Sequence, residues 1–402
     1  MLLDGAKGVG KTETALQRAS TVRRLDDAAQ RSIAAADPDL ALRGDPPILI
    51  DEWQRHPPMW DAIKRAVDAD PAPGRFLLTG SAPRAGDPVH SGAARIVPVR
   101  MRPMTLTERG VAQPTVSLAG LLAGGHAPVE GMSALGLSEY VDLLLGSGLP
   151  GVQHLTDRPL RAQLDAYVDL IVQRDVVEAG HDVRRPATLR AWLAAYVAAT
   201  ATSASWETIR DAASAGHADK AARTSTIPYV EVLTALRVLD GVPAWLPTDN
   251  PFSRLGSAPK RHLLDPALAA RLLGVTAERL LDGDAGPIPM VRHGTLLGGL
   301  FESLVTLTVR TFAQAAEAKV AHFREWGGRR EVDLIVERHD GRVLAIEAKL
   351  GRTVTDDDVT HLRWLRDRIP HRIADVAVVH TGPEAYRRPD GVAVIPLALL
   401  GA

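Results

Sequence analysis

Eight residues near the amino terminus have the types and spacing that bind a phosphate group. The run Gly5-Ala6-Lys7-Gly8-Val9-Gly10-Lys11-Thr12 matches the pattern G-x-x-x-x-G-K-[ST] in full. In such a loop the glycines let the backbone N–H groups face phosphate oxygens, the lysine reaches the β- and γ-phosphates, and the hydroxyl ligates Mg²⁺. The nucleotide-binding residues that this pattern predicts are Gly5, Gly8, Val9, Gly10, Lys11 and Thr12.

Two apolar runs that follow the loop end in polar side chains. Ile48-Leu49-Ile50 leads into Asp51 and Glu52, and a later run leads into Thr79 and Ser81. At the carboxyl end of a buried strand, Asp51 would complete the Mg²⁺ shell and Glu52 would polarise the attacking water. Thr79 or Ser81 is placed to sense the γ-phosphate. We therefore predict ATP and Mg²⁺ as ligands, and hydrolysis as the reaction.

Nucleotide hydrolysis usually also needs an arginine that stabilises charge in the transition state. Arg84 and Arg95 are the candidates, acting within the chain or on a neighbouring subunit of a homo-oligomer. The residues before the loop, Met1-Leu2-Leu3, are fewer than the roughly 5–6 of an average strand. We expect either a short first strand or a chain that begins late, without a preceding adenine-binding segment.

A second set of chemically capable residues lies near the carboxy terminus. A β-hairpin is predicted over residues 331–349. Residues 331–336 alternate, His339-Asp340-Gly341 forms the turn, and the mainly apolar residues 343–349 return as the second strand. Glu347 and Lys349 are two residues apart, so they share one face of a strand.

Asp333, on the facing strand, would lie beside this pair, and Glu302 on a preceding amphipathic helix would reach the same position. Three carboxylates beside a lysine suit a Mg²⁺-dependent phosphodiester hydrolase. We predict Glu302, Asp333 and Glu347 as metal ligands, and Glu347 and Lys349 as catalytic groups, with Lys349 orienting the water.

The intervening residues are mainly helical by their hydrophobic period. Residues 111–135 are rich in Gly, Ala and Pro and are predicted as a linker or insertion, and residues 138–180 are predicted as helical. Helices over 186–200, 205–214 and 225–239 indicate a winged-helix-like module.

DNA is the partner that a winged-helix module would bind. Thr224, Ser225 and Tyr229 would open its recognition helix, and the local basic residues are Lys220, Arg223, Arg254, Lys260 and Arg261. Residues 204–262 hold seven Lys or Arg and six Asp or Glu, however, which is a weak DNA footprint. A helical packing or protein-contact module therefore remains an equal alternative.

Composition excludes several classes of protein. With 46% hydrophobic and 24% charged residues the chain is not disordered, and its formal charge of −1 gives no overall basic field. The absence of cysteine excludes disulfides, thiolate metal sites and a cysteine nucleophile. There is neither a membrane-spanning apolar run nor a charged-then-apolar leader, so we expect a cytoplasmic protein without a membrane partner.

The carboxy-terminal pattern of helix, hairpin, helix and strand resembles the PD-(D/E)xK nuclease core. The matching residues are Glu302, Asp333, Glu347 and Lys349, although no proline precedes Asp333. Nearly the whole chain resembles a family of prokaryotic AAA-type ATPases with a carboxy-terminal domain of unknown function. The segments that carry this resemblance are Gly5–Thr12, Ile50–Glu52, Leu78–Ser81, Tyr167–Asp175 and Phe301–Lys349.

Strand–helix alternation over residues 1–100 independently predicts an α/β fold with a parallel sheet. With the resemblance, this gives a P-loop domain at 1–110, a linker and helical segment at 111–185, a winged-helix-like module at 186–285 and an α/β nuclease-like domain at 290–402. The leading hypothesis is an ATPase whose nucleotide state controls a nuclease-like or DNA-contacting domain. The alternatives are a non-catalytic nucleotide switch that binds DNA or protein, and a transport or signalling ATPase that recognises a protein.

Overall fold

A computed structural model of the protein describes residues 1–80, 94–125, 127–181, 185–214, 223–247, 258–281, 293–325 and 327–402. The amino-terminal region is a parallel sheet with helices. Its strands are β1 (Leu2–Asp4), β2 (Thr21–Arg24), β3 (Ile48–Asp51), β4 (Phe76–Gly80) and β5 (Pro98–Arg100). Its helices are α1 (Lys11–Leu16), α2 (Ala28–Ala36), α3 (Pro38–Ala41) and α4 (Pro58–Ala69).

All neighbours in this sheet are parallel, in the order β2-β3-β4-β1-β5. Strands β3 and β4 are buried along their whole length, as expected for a sheet covered on both faces. Because the carboxyl ends of parallel strands meet at one edge, β1, β3 and β4 bring the phosphate loop, Asp51 and Thr79 to the same side. The predicted α/β class with a parallel amino-terminal sheet is confirmed.

The middle of the chain is mostly helical. Its helices are α5 (Leu118–Ala123), α6 (Leu137–Leu145), α7 (Asp157–Leu170), α8 (Val176–Glu178), α9 (Pro186–Ala198), α10 (Trp206–Ala213), α11 (Arg223–Ala235), α12 (Pro266–Leu272) and α13 (Ala277–Leu281). Its short strands are β6 (Val116–Ser117), β7 (Gly131–Met132) and β8 (Ala244–Trp245). A π-helical turn, Ile171–Asp175, joins α7 to α8.

The carboxy-terminal region is built on a second sheet. Its elements are α14 (His293–Ala315), β9 (Lys319–Arg324), β10 (Glu331–Glu337), β11 (Val343–Lys349), α15 (Thr360–Arg368), β12 (Ile373–His380), β13 (Glu384–Arg387), β14 (Ala393–Pro396) and β15 (Leu400–Gly401). The order of the large sheet is β7-β13-β14-β12-β11-β10-β9-β8. The hairpin of β10 and β11 is present as predicted, and β11 is parallel to β12.

Residues 111–135, predicted as a linker or an insertion, form short elements that pack on the carboxy-terminal region. Strand β6 pairs with β15, and β7 pairs with β13 at the edge of the large sheet. Helix α5 packs against α14, β11 and β12. Its Ser117 cap and the buried Leu118, Leu121 and Leu122 explain why a Gly- and Ala-rich segment folds here instead of linking two domains.

Helix α14 is the core helix of the carboxy-terminal region. Within the described residues, its segment Leu296–Ala315 is the one helix long and apolar enough to cross a membrane, yet 67% of that window is buried inside the protein. It packs against β9, β10, β11, α5, α6, α12 and α13. Its charged residues Glu302 and Arg310 form ion pairs with the middle region. The apolar composition of α14 is therefore explained by packing.

Candidate functional site: the phosphate loop and a carboxy-terminal acidic cluster

The loop between β1 and α1 has the backbone geometry that its glycines permit. Gly8 has a φ of 77° and Gly10, which caps α1, has a φ of 91°. These left-handed conformations are costly for residues with a Cβ, which explains glycine at both positions. The curled backbone turns successive N–H groups toward one side, so the loop is shaped to receive an anion.

Lys11 lies inside this loop and is only 8% exposed. Its Nζ donates hydrogen bonds to the carbonyl oxygens of Gly5 and Ala6, both at 2.8 Å. Burial lowers the pKa of Lys11, an effect that the carboxylates of Glu52 and Asp4 oppose. The ammonium is therefore held at the loop by weak neutral acceptors, close to the position that a phosphate would take.

Asp51 lies at the end of β3 and collects two hydroxyl groups. Thr12 donates to its Oδ1 at 2.8 Å, and Thr79, at the end of β4, donates to the same oxygen. Asp51 is 6% exposed, and Thr79 is fully buried. Mg²⁺ binds oxygen ligands and commonly uses one or two protein groups together with phosphates and water. The donor set of Thr12 and Asp51 fits that ion.

Glu52 follows Asp51 in a left-handed conformation with a φ of 55°. Its carboxylate accepts a hydrogen bond from Nε2 of Gln54 at 2.7 Å and lies 4.0 Å from Nε of Arg55. A non-glycine residue with this backbone is strained and is frequently found at functional sites. The structure thus places Glu52 beside the metal-fitting group, with an amide that fixes its orientation.

The arginine candidates are only partly described. Arg84 and Ser81 lie outside the described residues, and Arg95 is paired with Asp68 at 2.6 Å. Arg100, which was not among the predicted residues, ends β5, the strand paired with β1. Burial lowers the pKa of Arg100 to about 10, although Asp240 and Asp4 counteract that effect. Its cationic side chain is among the charged groups that influence Lys11.

The middle region contacts the phosphate loop directly. The hydroxyl of Tyr167 donates to the carbonyl oxygen of Lys7 at 2.8 Å. The ammonium of Lys7 pairs with Asp175, in the π-helical turn, and lies 3.4 Å from Glu178. Single π-helical turns are often found at functional sites. The resemblance included Tyr167–Asp175 without a role for it, and the structure shows that this segment contacts the loop.

A second contact between regions centres on Asp240. Its carboxylate lies 2.8 Å from Nε of Arg102, 3.3 Å from Arg310 on α14 and 3.7 Å from Arg100. Burial raises the pKa of Asp240, but these three guanidinium groups outweigh burial and bring it to about 2. Asp240 therefore joins the amino-terminal, middle and carboxy-terminal regions through a single ionised group.

The carboxy-terminal acids form a cluster around a lysine that was not expected there. The Nζ of Lys260 lies 2.8 Å from Glu302, 2.9 Å from Asp333 and 2.9 Å from Glu331. Lys260 is 1% exposed. Glu331 was also missed, because the first residue of a strand with a charged side chain has no distinctive sequence signal.

Glu347 and Lys349 share one face of β11, as predicted. Their side chains lie 2.9 Å apart, and Glu347 also forms a side-chain hydrogen bond with Asp333. Oδ1 of Asp333 faces Lys260, and its Oδ2 accepts a hydrogen bond from the backbone N–H of Ala348 at 2.9 Å. The structure thus brings the four predicted residues into one neighbourhood, with Glu302 connected to the others through Lys260.

The predicted DNA surface of the middle region is not formed by the basic residues that the structure describes. Lys260 and Arg261 are 1% and 2% exposed, so both are corrected from surface contacts to internal groups. The guanidinium of Arg261 stacks on Trp206 at 3.6 Å, and Tyr229 packs edge-on against Trp192. Lys220, Arg254 and the side chains of Arg223, Thr224 and Ser225 lie outside the described residues.

Family models match three parts of the chain. An AAA domain matches residues 1–109, a domain of unknown function (DUF8612) matches residues 137–279, and another domain of unknown function (DUF4143) matches residues 297–400. The first coincides with the region that holds Lys11, Thr12 and Asp51. The third begins within α14 and contains the acidic cluster except for Lys260, which belongs to the second.

Two curated relatives have the same coverage. An uncharacterized protein of Mycobacterium tuberculosis and one of Mycobacterium bovis are each 25% identical over 405 residues, spanning 98% of this chain and 79% of the relative. Neither name states an activity. The domain order and the site geometry agree: the chain has an amino-terminal AAA domain, a type of domain found in ATPases, and a carboxy-terminal domain of unknown function.

Proposed function

We propose that the chain binds MgATP at the phosphate loop, hydrolyses it, and passes its nucleotide state to the middle and carboxy-terminal regions. The observation that supports this proposal most directly is the meeting of Thr12, Asp51 and Thr79. Two hydroxyls, from α1 and β4, converge on one carboxylate oxygen of Asp51 at the end of β3. Such an arrangement is typical of a site for Mg²⁺ and nucleotide phosphates.

Each side chain of this site has a specific proposed role. Thr12 and Asp51 would hold Mg²⁺, which when bound neutralises charge that develops on the phosphates. Lys11 would move from the loop carbonyls to the β- and γ-phosphates, because a phosphate is a stronger partner for an ammonium than a backbone carbonyl is. Glu52 would orient and polarise the attacking water, and Thr79 would sense the γ-phosphate.

Transmission would begin at Lys7, a residue of the loop itself. Its carbonyl oxygen and its ammonium contact Tyr167 and Asp175, so a change in loop geometry would act on the π-helical turn. Nucleotide sites usually change the conformation of distant regions through a packed element that can adopt two arrangements. The Asp240 cluster gives the same region a second connection, to α14.

The carboxy-terminal region would act as a nuclease-like or DNA-contacting domain. The succession of α14, the β10–β11 hairpin, α15 and β12 supports a PD-(D/E)xK-like core. A second candidate is a non-catalytic switch that binds DNA or a protein, and the position of Lys260 among the carboxylates favours it. We propose that the protein acts in the cytoplasm, where ATP is present. We also propose a homo-oligomer, in which an arginine from a second copy is the candidate for stabilising charge in the transition state.

The experiment that tests this function is steady-state ATP hydrolysis by the wild type and Glu52→Gln, with and without double-stranded DNA. The variant keeps the size of the side chain but removes the negative charge that polarises water. We expect it to bind ATP with nearly unchanged affinity and to lose turnover by about a hundredfold or more. Glu13→Gln, an exposed change in α1, is the matched control and should keep wild-type turnover.

The comparison of ATP hydrolysis with and without double-stranded DNA distinguishes the two candidate functions. Stimulation of turnover by DNA would connect the two ends of the chain, whereas unchanged turnover with intact hydrolysis would favour a protein partner. Failure of both the wild type and Glu13→Gln to bind or hydrolyse ATP would refute the ATPase proposal itself.

A further inference from the structure

We infer that the ammonium of Lys260 is the resident cation of the carboxy-terminal acidic cluster and stands in place of the divalent metal that a PD-(D/E)xK-like site would hold. The predicted ligands Glu302 and Asp333 do face a common cation, but that cation is a side chain of the middle region. Within the described part of the chain, no group of three or more His, Asp or Glu is arranged to hold a metal ion. The residues present therefore do not fit Mg²⁺ at this position.

The ammonium of Lys260 contacts three carboxylates of the cluster. It donates hydrogen bonds to Glu302 at 2.8 Å and to Asp333 at 2.9 Å, and its third partner, Glu331, is an ion pair at 2.9 Å. The three acids come from two elements, α14 for Glu302 and β10 for Glu331 and Asp333. A single ammonium thus performs the cross-linking that a metal ion would otherwise perform between this helix and this strand.

The backbone of Lys260 is anchored as firmly as its side chain. Its N–H donates to the carbonyl of Val242 at 2.9 Å, and its carbonyl accepts the N–H of Val242 at 3.0 Å. Two residues further on, Nδ1 of His262 lies 2.8 Å from Oγ of Ser303 on α14. The segment that carries the lysine is therefore held within the middle region by Val242 and docked on α14 by His262.

The charges of the cluster balance without a metal. Burial favours the neutral form of Lys260, but Asp333, Glu302 and Glu331 outweigh this and raise its pKa well above its ordinary value. Burial and Asp333 raise the pKa of Glu302 to about 8, and the same two causes raise the pKa of Glu347. Two ammonium groups, those of Lys260 and Lys349, thus lie against the acids of the cluster.

Burial distinguishes this arrangement from an ordinary surface ion pair. A surface pair contributes little to stability and exchanges readily with solvent ions, whereas a buried group cannot be removed without leaving uncompensated charge. Because Lys260 is 1% exposed, a divalent ion would have to expel it from a packed interior before binding. The acidic cluster should therefore bind no divalent metal and support no metal-dependent cleavage of nucleic acid while Lys260 is in place, which leaves DNA contact as the role of a nuclease-like fold.

The test measures Mn²⁺ binding to the whole chain in the absence of nucleotide. Electron paramagnetic resonance detects the bound ion. Mn²⁺ takes the same oxygen ligands as Mg²⁺ and is detected directly. We compare the wild type, Asp333→Asn, Lys260→Met, the double variant Lys260→Met/Asp333→Asn and Lys319→Met, an exposed lysine of β9 that serves as the control. The assay contains no ATP, so failure of the ATPase proposal does not affect its outcome.

We expect the wild type, Asp333→Asn and Lys319→Met to show equal Mn²⁺ binding, with no contribution from the cluster. Lys260→Met should gain one site per chain, at least tenfold tighter than any site of the wild type, and the double variant should lose it. Mn²⁺ should also raise the melting temperature of Lys260→Met but not that of the wild type.

Two results would overturn the inference. One is Mn²⁺ binding by the wild type that disappears in Asp333→Asn, because the metal would then coexist with the lysine. The other is a folded Lys260→Met that gains no site, because the cluster would then be a structural ion-pair group only. If Lys260→Met does not fold, the wild type and Asp333→Asn decide: equal binding supports the inference, and a loss in Asp333→Asn overturns it.

Discussion

Two places in this molecule combine strand-end carboxylates with a lysine, and they differ in where the lysine lies. At the amino-terminal site, Asp51 is contacted by two neutral hydroxyls, while Lys11 is held separately by loop carbonyls. At the carboxy-terminal site, the ammonium of Lys260 lies directly among the acids. The first arrangement leaves the carboxylate available to an incoming cation, and the second supplies the cation from within the chain. On the two proposals above, similar residue types would produce opposite metal-binding behaviour.

The middle region contributes to both sites. It provides Tyr167 and Asp175 to the phosphate loop and Lys260 to the acidic cluster. The loop contacts involve Lys7, which lies outside the group that fits Mg²⁺, and so they constrain the nucleotide site without blocking it. The contact at the cluster uses the position that a metal would need. The same region thus contacts both sites, and we propose that it supports the first and closes the second.

The largest expected effect is the contrast between two isosteric changes. Asp51→Asn should lower the MgATP turnover number by about a hundredfold or more, because the metal loses its charged protein ligand. Asp333→Asn should leave turnover within about twofold of the wild type, because its carboxylate serves only the closed cluster. Phosphate release at saturating ATP and Mg²⁺ measures both. A comparable loss in Asp333→Asn would show that the two sites are not separate.

The second-largest expected effect is a dependence of the free energy of unfolding on pH that arises from the carboxy-terminal acidic cluster. Glu302 has a pKa raised from 4.5 to about 8 by burial and by Asp333. Its contribution to stability is therefore fully present below pH 4.5 and is lost as the pH rises through 8. We expect the free energy of unfolding to fall by about 1 kcal/mol per pH unit across this window.

Glu302→Gln tests this pH dependence, because glutamine is neutral at every pH and can still accept a hydrogen bond from Lys260. Urea unfolding at several pH values should give a flatter profile for the variant than for the wild type. A profile of unchanged slope would mean that another group titrates. Glu13→Gln, in the exposed part of α1, should keep the wild-type slope.

The smallest expected effect concerns the support of the phosphate loop. Tyr167→Phe removes one hydrogen bond to the carbonyl of Lys7, worth about 0.5–1.5 kcal/mol. We expect the KM for ATP to rise a few-fold, with the pH dependence of stability unaltered. Tyr229→Phe, in which the ring packs against Trp192, is the control and should keep the wild-type KM. Equal KM values in the two variants would separate the middle region from the nucleotide site.

The convergence of the amino-terminal residues could be predicted from the sequence because these residues are either contiguous or fixed by sheet geometry. Gly8, Gly10 and Lys11 lie within one loop, and Asp51 and Thr79 end strands of a parallel sheet. Parallel strands bring their carboxyl ends to one edge, so the sequence order alone places these groups together. The predicted β10–β11 hairpin was found for a similar reason, since its turn residues are local.

The sequence was not sufficient for the contacts that decide what the second site does. Lys260 lies 42 residues from Glu302 and 73 from Asp333, and no periodicity connects a lysine after a loop to a hairpin that far along the chain. A basic residue next to a winged-helix-like pattern is usually exposed, so DNA contact was one of two equally weighted interpretations. Asp175 and Lys7, 168 residues apart, were equally inaccessible to local reasoning.

The contacts of Asp240 bear on how far this protein can be divided. Its carboxylate belongs to the middle region, but its guanidinium partners Arg102 and Arg310 belong to the AAA domain and to the carboxy-terminal domain. A truncation at either boundary would leave unpaired charge on a newly exposed surface. The three segments that match separate family models are therefore not interchangeable modules, and transplanting one of them into another protein would require a replacement for this shared ion pair.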